Sequence, residues 1–205
     1  MIETIEQARA RLRHFRPQWR WRSVWRGVFS RRSAVAILLR RAEGNGHGNG
    51  GLEVLMIERA HRDGDRWSGH MAFPGGMVDP GDASSLAGAM RETREEIGID
   101  LHGDGVLLAR LSNIVSISHI GHRRPLIISP YVFELTRAVT PQLNHEVAAV
   151  VWVPLRFLAD RSNRAQMDWQ RKNKPLKLPY YTFQERRIWG LSLHMLDELM
   201  KALAA

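Results

Sequence analysis

The chain has 205 residues, of which 44% are apolar and 25% charged, and a formal net charge of +9. That composition fits one cored domain with extensions rather than two full domains. The absence of cysteine excludes disulfides, cysteine–zinc centres and thiol nucleophiles, and no run approaches the roughly 18 apolar residues of a membrane-spanning helix.

In chain order, residues 3–15 are predicted to form a helix with Ile5, Ala8 and Leu12 on one face, closed by Pro17. The next segment interleaves Trp19, Trp21 and Trp25 with arginines. Residues 1–41 hold 11 arginines against Glu3 and Glu6, a net of +9. Residues 42–160 hold 10 basic and 15 acidic groups, a net of −5, and residues 161–187 return to +6. An acidic middle between basic flanks suits phosphate-bearing partners. Tryptophan–arginine alternation suits base stacking or an anionic surface; the preferred reading is an arm whose tryptophans pack on the domain.

Residues 33–40 and 52–59 are predicted strands of a hairpin around a Gly/Asn-rich loop over 43–51, followed by a short strand over 70–73. Residues 84–97 have helical periodicity, with Leu86, Met90, Thr93 and Ile97 as the apolar stripe. Strands are expected over 106–111, 114–118, 126–135 and 147–153, and a short helix over 155–160. The basic stretch 161–187 carries Pro175 and Pro179 and shows no long pattern. Residues 191–203 form a final amphipathic helix. Helices and strands mixed without strict βαβ alternation imply an α/β chain of the α+β type, a mixed sheet flanked by helices.

Glu92, Glu95 and Glu96 stand at i, i+3 and i+4, so they share one helix face, here expected opposite the apolar stripe. Crowded carboxylates repel, at about 1 kcal/mol for each water-screened pair. Hard cations such as Mg²⁺ or Mn²⁺ relieve this, with phosphate oxygens completing their shell. Arg91 and Arg94 are local counter-charges. A solvated face laced with i,i+4 pairs is the commoner meaning of such glutamates, so the flanking residues decide.

Those flanks are Phe73-Pro74-Gly75-Gly76, a loop with Asp79 and Asp82, then Arg91-Glu92-Thr93-Arg94-Glu95-Glu96-Ile97-Gly98-Ile99. The string resembles the Nudix box, G-x5-E-x7-R-E-U-x-E-E-x-G-U, where U is a bulky apolar residue. Thr93 stands at the first U position, Asp82 replaces the early glutamate, and one extra residue separates Asp82 from Arg91. These departures resemble the branch that cleaves coenzyme A and its acyl derivatives. The resemblance covers roughly residues 33–160 and implies a Nudix fold, a mixed β-sheet sandwiched between helices with a loop–helix–loop motif over 75–99. The expected organisation is a basic arm over 1–32 and a catalytic domain over 33–205. That domain includes the basic insertion 161–187 and the helix 191–203.

Carried over by position, the resemblance implies Glu95 and Glu96 as main metal ligands, Glu92 as ligand or base, and Arg91 as the group orienting them. The Gly76 carbonyl is a further metal contact, and the cofactor is Mg²⁺ or Mn²⁺. Glu146, in Asn144-His145-Glu146-Val147, is a candidate base or additional ligand. The branch's second motif, L-L-T-x-R-S-x-x-L-R-x-H-x-G, is matched only at Arg59 and Gly69; Trp67 and Ser68 replace its Leu-Arg-x-His core. Trp67 is a candidate for stacking on a ring, and Arg59, Arg66, Arg123 and Arg124 for binding substrate phosphate. His119 and His122 share a loop with Gly121 and the last two, a further candidate for binding phosphate. Tyr180, Tyr181 and Trp189 line a base pocket or belong to the core, with core preferred.

The implied reaction is hydrolysis of a diphosphate bond in a small nucleoside diphosphate derivative. Coenzyme A or acyl-coenzyme A ranks first, giving 3′,5′-ADP and a 4′-phosphopantetheine product. NDP-sugars or dinucleoside polyphosphates come next, then an oxidised nucleotide or capped RNA. A Nudix-fold nucleic-acid-binding regulator is the alternative from another class; it is disfavoured because it gives the three glutamates no reason to stand together. A cytoplasmic location is expected, and the sequence leaves homodimerisation open.

Overall fold

Side-chain alternation sorts the strands of this chain onto two cores. The computed structural model describes residues 4–18, 31–42, 51–65, 67–116, 125–171 and 174–204. In β1 (Arg31–Arg41), Ala34, Ala36 and Leu38 face one side of the sheet, while Ile37 and Leu39 face the other. β2 (Leu52–Arg59) divides likewise, with Leu55 and Ile57 on the first side and Val54 and Met56 on the second. A central strand that is apolar on both faces must be covered twice. The first face carries α2 (Ser85–Ile97), through Ala89 and Ile97. The second carries α1 (Ile5–His14), through Ile5, Ala8 and Leu12, and α5 (Gly190–Ala204), through Leu193, Leu196 and Leu199.

The sheet is mixed. β1 pairs antiparallel with β2 and parallel with β7 (Leu126–Leu135). β3 (Met71–Ala72) and β8 (Val147–Pro154) pair with β2; β5 (Gly105–Arg110) and β6 (Ile114–Ser116) pair with β7. β4 (Gly75–Met77), which the sequence did not mark, pairs with β1 through Ala34↔Gly76 and Val35↔Gly75. Short helices α3 (Leu101–Asp104) and α4 (Leu155–Ala159) join the strands. Among the described residues no helix is long and apolar enough to cross a membrane.

Two expectations are corrected. The stretch 161–187 is not patternless: β9 (Arg164–Arg171), β10 (Lys174–Phe183) and β11 (Arg186–Trp189) form a second, antiparallel sheet. Pro175 and Pro179 argued against a strand. They are tolerated because β11 pairs only with residues 180–183, so β10 is a one-sided edge at both prolines. The apolar stripe of α2 is also rotated. Ser85, Ala89, Thr93 and Ile97 are buried, whereas Leu86 and Met90 are half-buried. Glu96, expected opposite that stripe, lies on the buried face beside Ile97.

Candidate active site

β4 ties the Phe73–Gly76 run to the start of β1, and the chain then loops into α2. Ser84 caps that helix by accepting from the Ala87 N–H at 3.1 Å. Gly75 has φ +147, and a Cβ there would collide with the Ala34 carbonyl. A Cβ on Gly76 would lie 2.5 Å from the carboxyl carbon of Glu92. The two glycines therefore let the turn close onto the glutamates of α2.

Glu96 is only 3% exposed. It accepts a hydrogen bond from the Gly75 N–H at 2.8 Å. Burial pushes its pKa up to about 7, with the Gly75 hydrogen bond and the charge of Arg59 acting against it, and the charges of Glu92 and Glu146 acting with it. Glu92 is half-buried, and burial raises its pKa despite the Arg91 guanidinium 3.0 Å away. Arg91 is the hub. It donates to both oxygens of Asp82 at 3.0 and 3.1 Å, to Glu95 at 2.9 Å and to the Met77 carbonyl at 3.1 Å. Asp82, foremost, holds Arg91 charged, and Arg91 in turn lowers the pKa of Asp82.

The structure thus brings Glu92 and Glu96 together under the glycine turn, with Glu146 and Arg59 near enough to act electrostatically on Glu96. It does not gather Glu95 with them: that carboxylate is 55% exposed and turned to Arg91. Among the described residues no three acidic or imidazole groups already form a ligand set. The Gly76 carbonyl accepts from the Ser33 hydroxyl at 2.6 Å, and Gly76 stands opposite Ala34 in the β1–β4 ladder. Glu146 pairs with Arg62 at 3.0 Å. Arg59 pairs with Asp65 at 2.9 Å, and its Nε is buried without a hydrogen-bond partner among the described residues. Trp67 is 60% exposed. Tyr181 is core, its hydroxyl donating to the Leu158 carbonyl at 2.9 Å. Arg66, Arg123 and Arg124, together with His119, His122, Trp19, Trp21 and Trp25, lie outside the described residues.

Sequence reasoning missed Ser33, which carries no local signal, and the anchoring of Arg91 by Asp82, which stands in the loop nine residues earlier, before α2 begins. Oxygen donors at Glu92, Glu96 and the Gly76 carbonyl, two of them on carboxylates held at a desolvation cost, fit a hard divalent cation.

A family model for the NUDIX domain matches residues 30–175. The chain belongs to the Nudix family. Nudix members are pyrophosphohydrolases, enzymes acting on acid anhydrides, and generally use divalent metals. An uncharacterized protein of Schizosaccharomyces pombe is 39% identical over 134 residues; this Nudix chain spans 40% of its length, and 63% of this chain is matched. The Nudix hydrolase NudL of an Enterobacter species is 30% identical, over 96% of this chain and 93% of that one. A protein named peroxisomal coenzyme A diphosphatase in Caenorhabditis elegans is 35% identical over 53% of this chain and 45% of its own length. A NUDIX hydrolase structure from Alicyclobacillus acidocaldarius shares the Nudix fold with a TM-score of 0.56 at 16% identity, over 86% of this chain and 96% of that one.

Proposed function

We propose that this chain hydrolyses the diphosphate of coenzyme A or an acyl-coenzyme A in the presence of Mg²⁺ or Mn²⁺, releasing 3′,5′-ADP and a 4′-phosphopantetheine product. The observation that carries the reading is the pair of desolvated carboxylates, Glu92 and Glu96, pressed against the Gly75–Gly76 turn. In this reading Glu92, Glu96 and the Gly76 carbonyl hold the cation, and Glu95 joins them by leaving Arg91. When bound, the cation neutralises diphosphate charge and makes a water more acidic. Glu146 accepts the proton of the attacking water, and Arg62 holds Glu146 in place until then. The water oxygen bonds to phosphorus as the bridging P–O bond breaks. Arg91, pinned by Asp82, fixes the rotamer of Glu92 and holds Glu95 aside until the cation binds. Arg59, whose side chain is 30% exposed, is a donor for a substrate phosphate. Arg66, Arg123 and Arg124 are phosphate-binding candidates on sequence alone, and exposed Trp67 is a platform for a ring.

The substrate choice draws on the coenzyme A diphosphatase among the relatives. That relative is named peroxisomal, while the reading here keeps a cytoplasmic enzyme. Trp67 in place of the Leu-Arg-x-His core favours a second reading, an NDP-sugar or dinucleoside polyphosphate hydrolase. The test is a panel of coenzyme A, its 3′-dephospho form, NDP-sugars and dinucleoside polyphosphates with Mg²⁺, with products identified by mass. We expect coenzyme A to give 3′,5′-ADP and the highest kcat/KM. Equal use of the 3′-dephospho form, or preference for an NDP-sugar or dinucleotide, transfers the assignment to the second reading.

A further inference from the structure

The β9–β10–β11 sheet has two unlike faces. Tyr181 and Ile188 point into the core, with Phe183 packed against it. On the other face the cross-strand partners are Trp169↔Leu176, Met167↔Leu178 and Tyr180↔Trp189. These side chains stay in contact with solvent: Trp169 is 43% exposed and Leu176 44%. The Trp169 and Trp189 rings lie 5.0 Å apart, and Trp189 lies 5.2 Å from the His70 ring. Burial lowers the pKa of His70, which favours the neutral ring. The strip therefore runs unbroken from His70 to Leu176.

Its inner end adjoins the candidate active site. The Arg59 N–H donates to the His70 carbonyl at 3.1 Å, and the Gly69 N–H donates to the Arg59 carbonyl at 3.0 Å. Arg59 is also the cation that acts on buried Glu96. We propose that this strip, formed by His70, Trp189, Trp169 and Leu176, is a subsite for an apolar arm on the substrate, an acyl chain in the coenzyme A series. The inference rests on the diphosphate-hydrolase reading above and adds the part of the molecule that selects among its substrates. Successive rings are tilted by 60° and 49°, so they offer no single plane to a flat base. A corrugated strip with Met167 and Leu178 alongside suits a flexible chain touching one side group after another. Arg187, a cation on this face, lies over the Tyr180 ring at 4.9 Å.

The test compares KM for acetyl- and octanoyl-coenzyme A in the wild-type chain and in Trp169→Ala. Trp169 is exposed, so the variant keeps its core. Each methylene fully buried is worth about fourfold in affinity. Partial cover of the longer chain should therefore lower KM for octanoyl-coenzyme A by at least about tenfold relative to the acetyl compound. We expect Trp169→Ala to lose most of that ratio. A wild-type ratio near one with free coenzyme A still cleaved overturns the subsite and leaves the proposed function standing. So does a ratio that survives Trp169→Ala. If no coenzyme A compound is cleaved while another diphosphate is, both fall. An unchanged ratio together with loss of a dimer in sedimentation identifies the face as a contact between two copies, which also overturns the subsite.

Discussion

Glu96 is held in the folded chain at an electrostatic cost. Its carboxyl is buried, near Glu92 and Glu146, and has the Gly75 N–H as its hydrogen-bond donor. Because its folded-state pKa is about 7 against an ordinary 4.5, the folded chain binds this proton more tightly than the unfolded chain does. The resulting stability is fully present below the unfolded value and is lost as the pH rises through 7. A divalent cation that binds the charged carboxylate reverses that loss. Thermal melts with and without Mg²⁺ at about pH 5.5 and about pH 8 should therefore show the larger metal-induced rise in Tm at the higher pH. Glu96→Gln should shrink that difference. Equal rises at both pH values in the wild-type chain would mean that Glu96 does not meet the metal. At this scale the sequence was informative about identity and blind to environment. Spacing placed the three glutamates on one helix face, but only tertiary packing decides that Glu96 is buried and Glu95 is not.

At the scale of elements, most of the main sheet was legible because its strands are apolar and bounded by loops. β4 was not, since Gly75–Met77 has no strand propensity and exists through its pairing with β1. The second sheet hid behind Pro175 and Pro179, which are compatible with β10 only because β11 is short. The rotation of α2 has a similar cause. Small residues, Ser85 and Ala89, let the helix lie close to β1, and the Ser85 hydroxyl reaches the Tyr131 hydroxyl at 2.8 Å. A stripe drawn through the largest apolar residues misses such a contact. The first helix was read correctly from Ile5, Ala8 and Leu12, all buried. Leu12 packs in the same core as α5. Leu12→Ala should therefore cost about 2–4 kcal/mol of unfolding free energy, read from denaturant melts. A loss well under about 1 kcal/mol would mean that α1 is a dispensable appendage and not part of the core.

Over the whole molecule, two cores on either side of one mixed sheet hold α2 against β1 and β4. The Gly75–Gly76 turn, buried Glu96, half-buried Glu92 and the Arg91–Asp82 pair meet at that junction. The rest of the chain supplies a frame, and the second sheet extends the frame beside the loop that carries Arg59 and His70. The central claim is that Glu96 takes part in metal-assisted diphosphate cleavage rather than merely filling a core position. The most direct measurement is kcat of Glu96→Gln on the best diphosphate substrate in saturating Mg²⁺, with circular dichroism to check the fold. The expected result is a native spectrum with turnover reduced by about two orders of magnitude or more, the scale for lost charge stabilisation in the transition state. A native spectrum with the wild-type rate would contradict the claim.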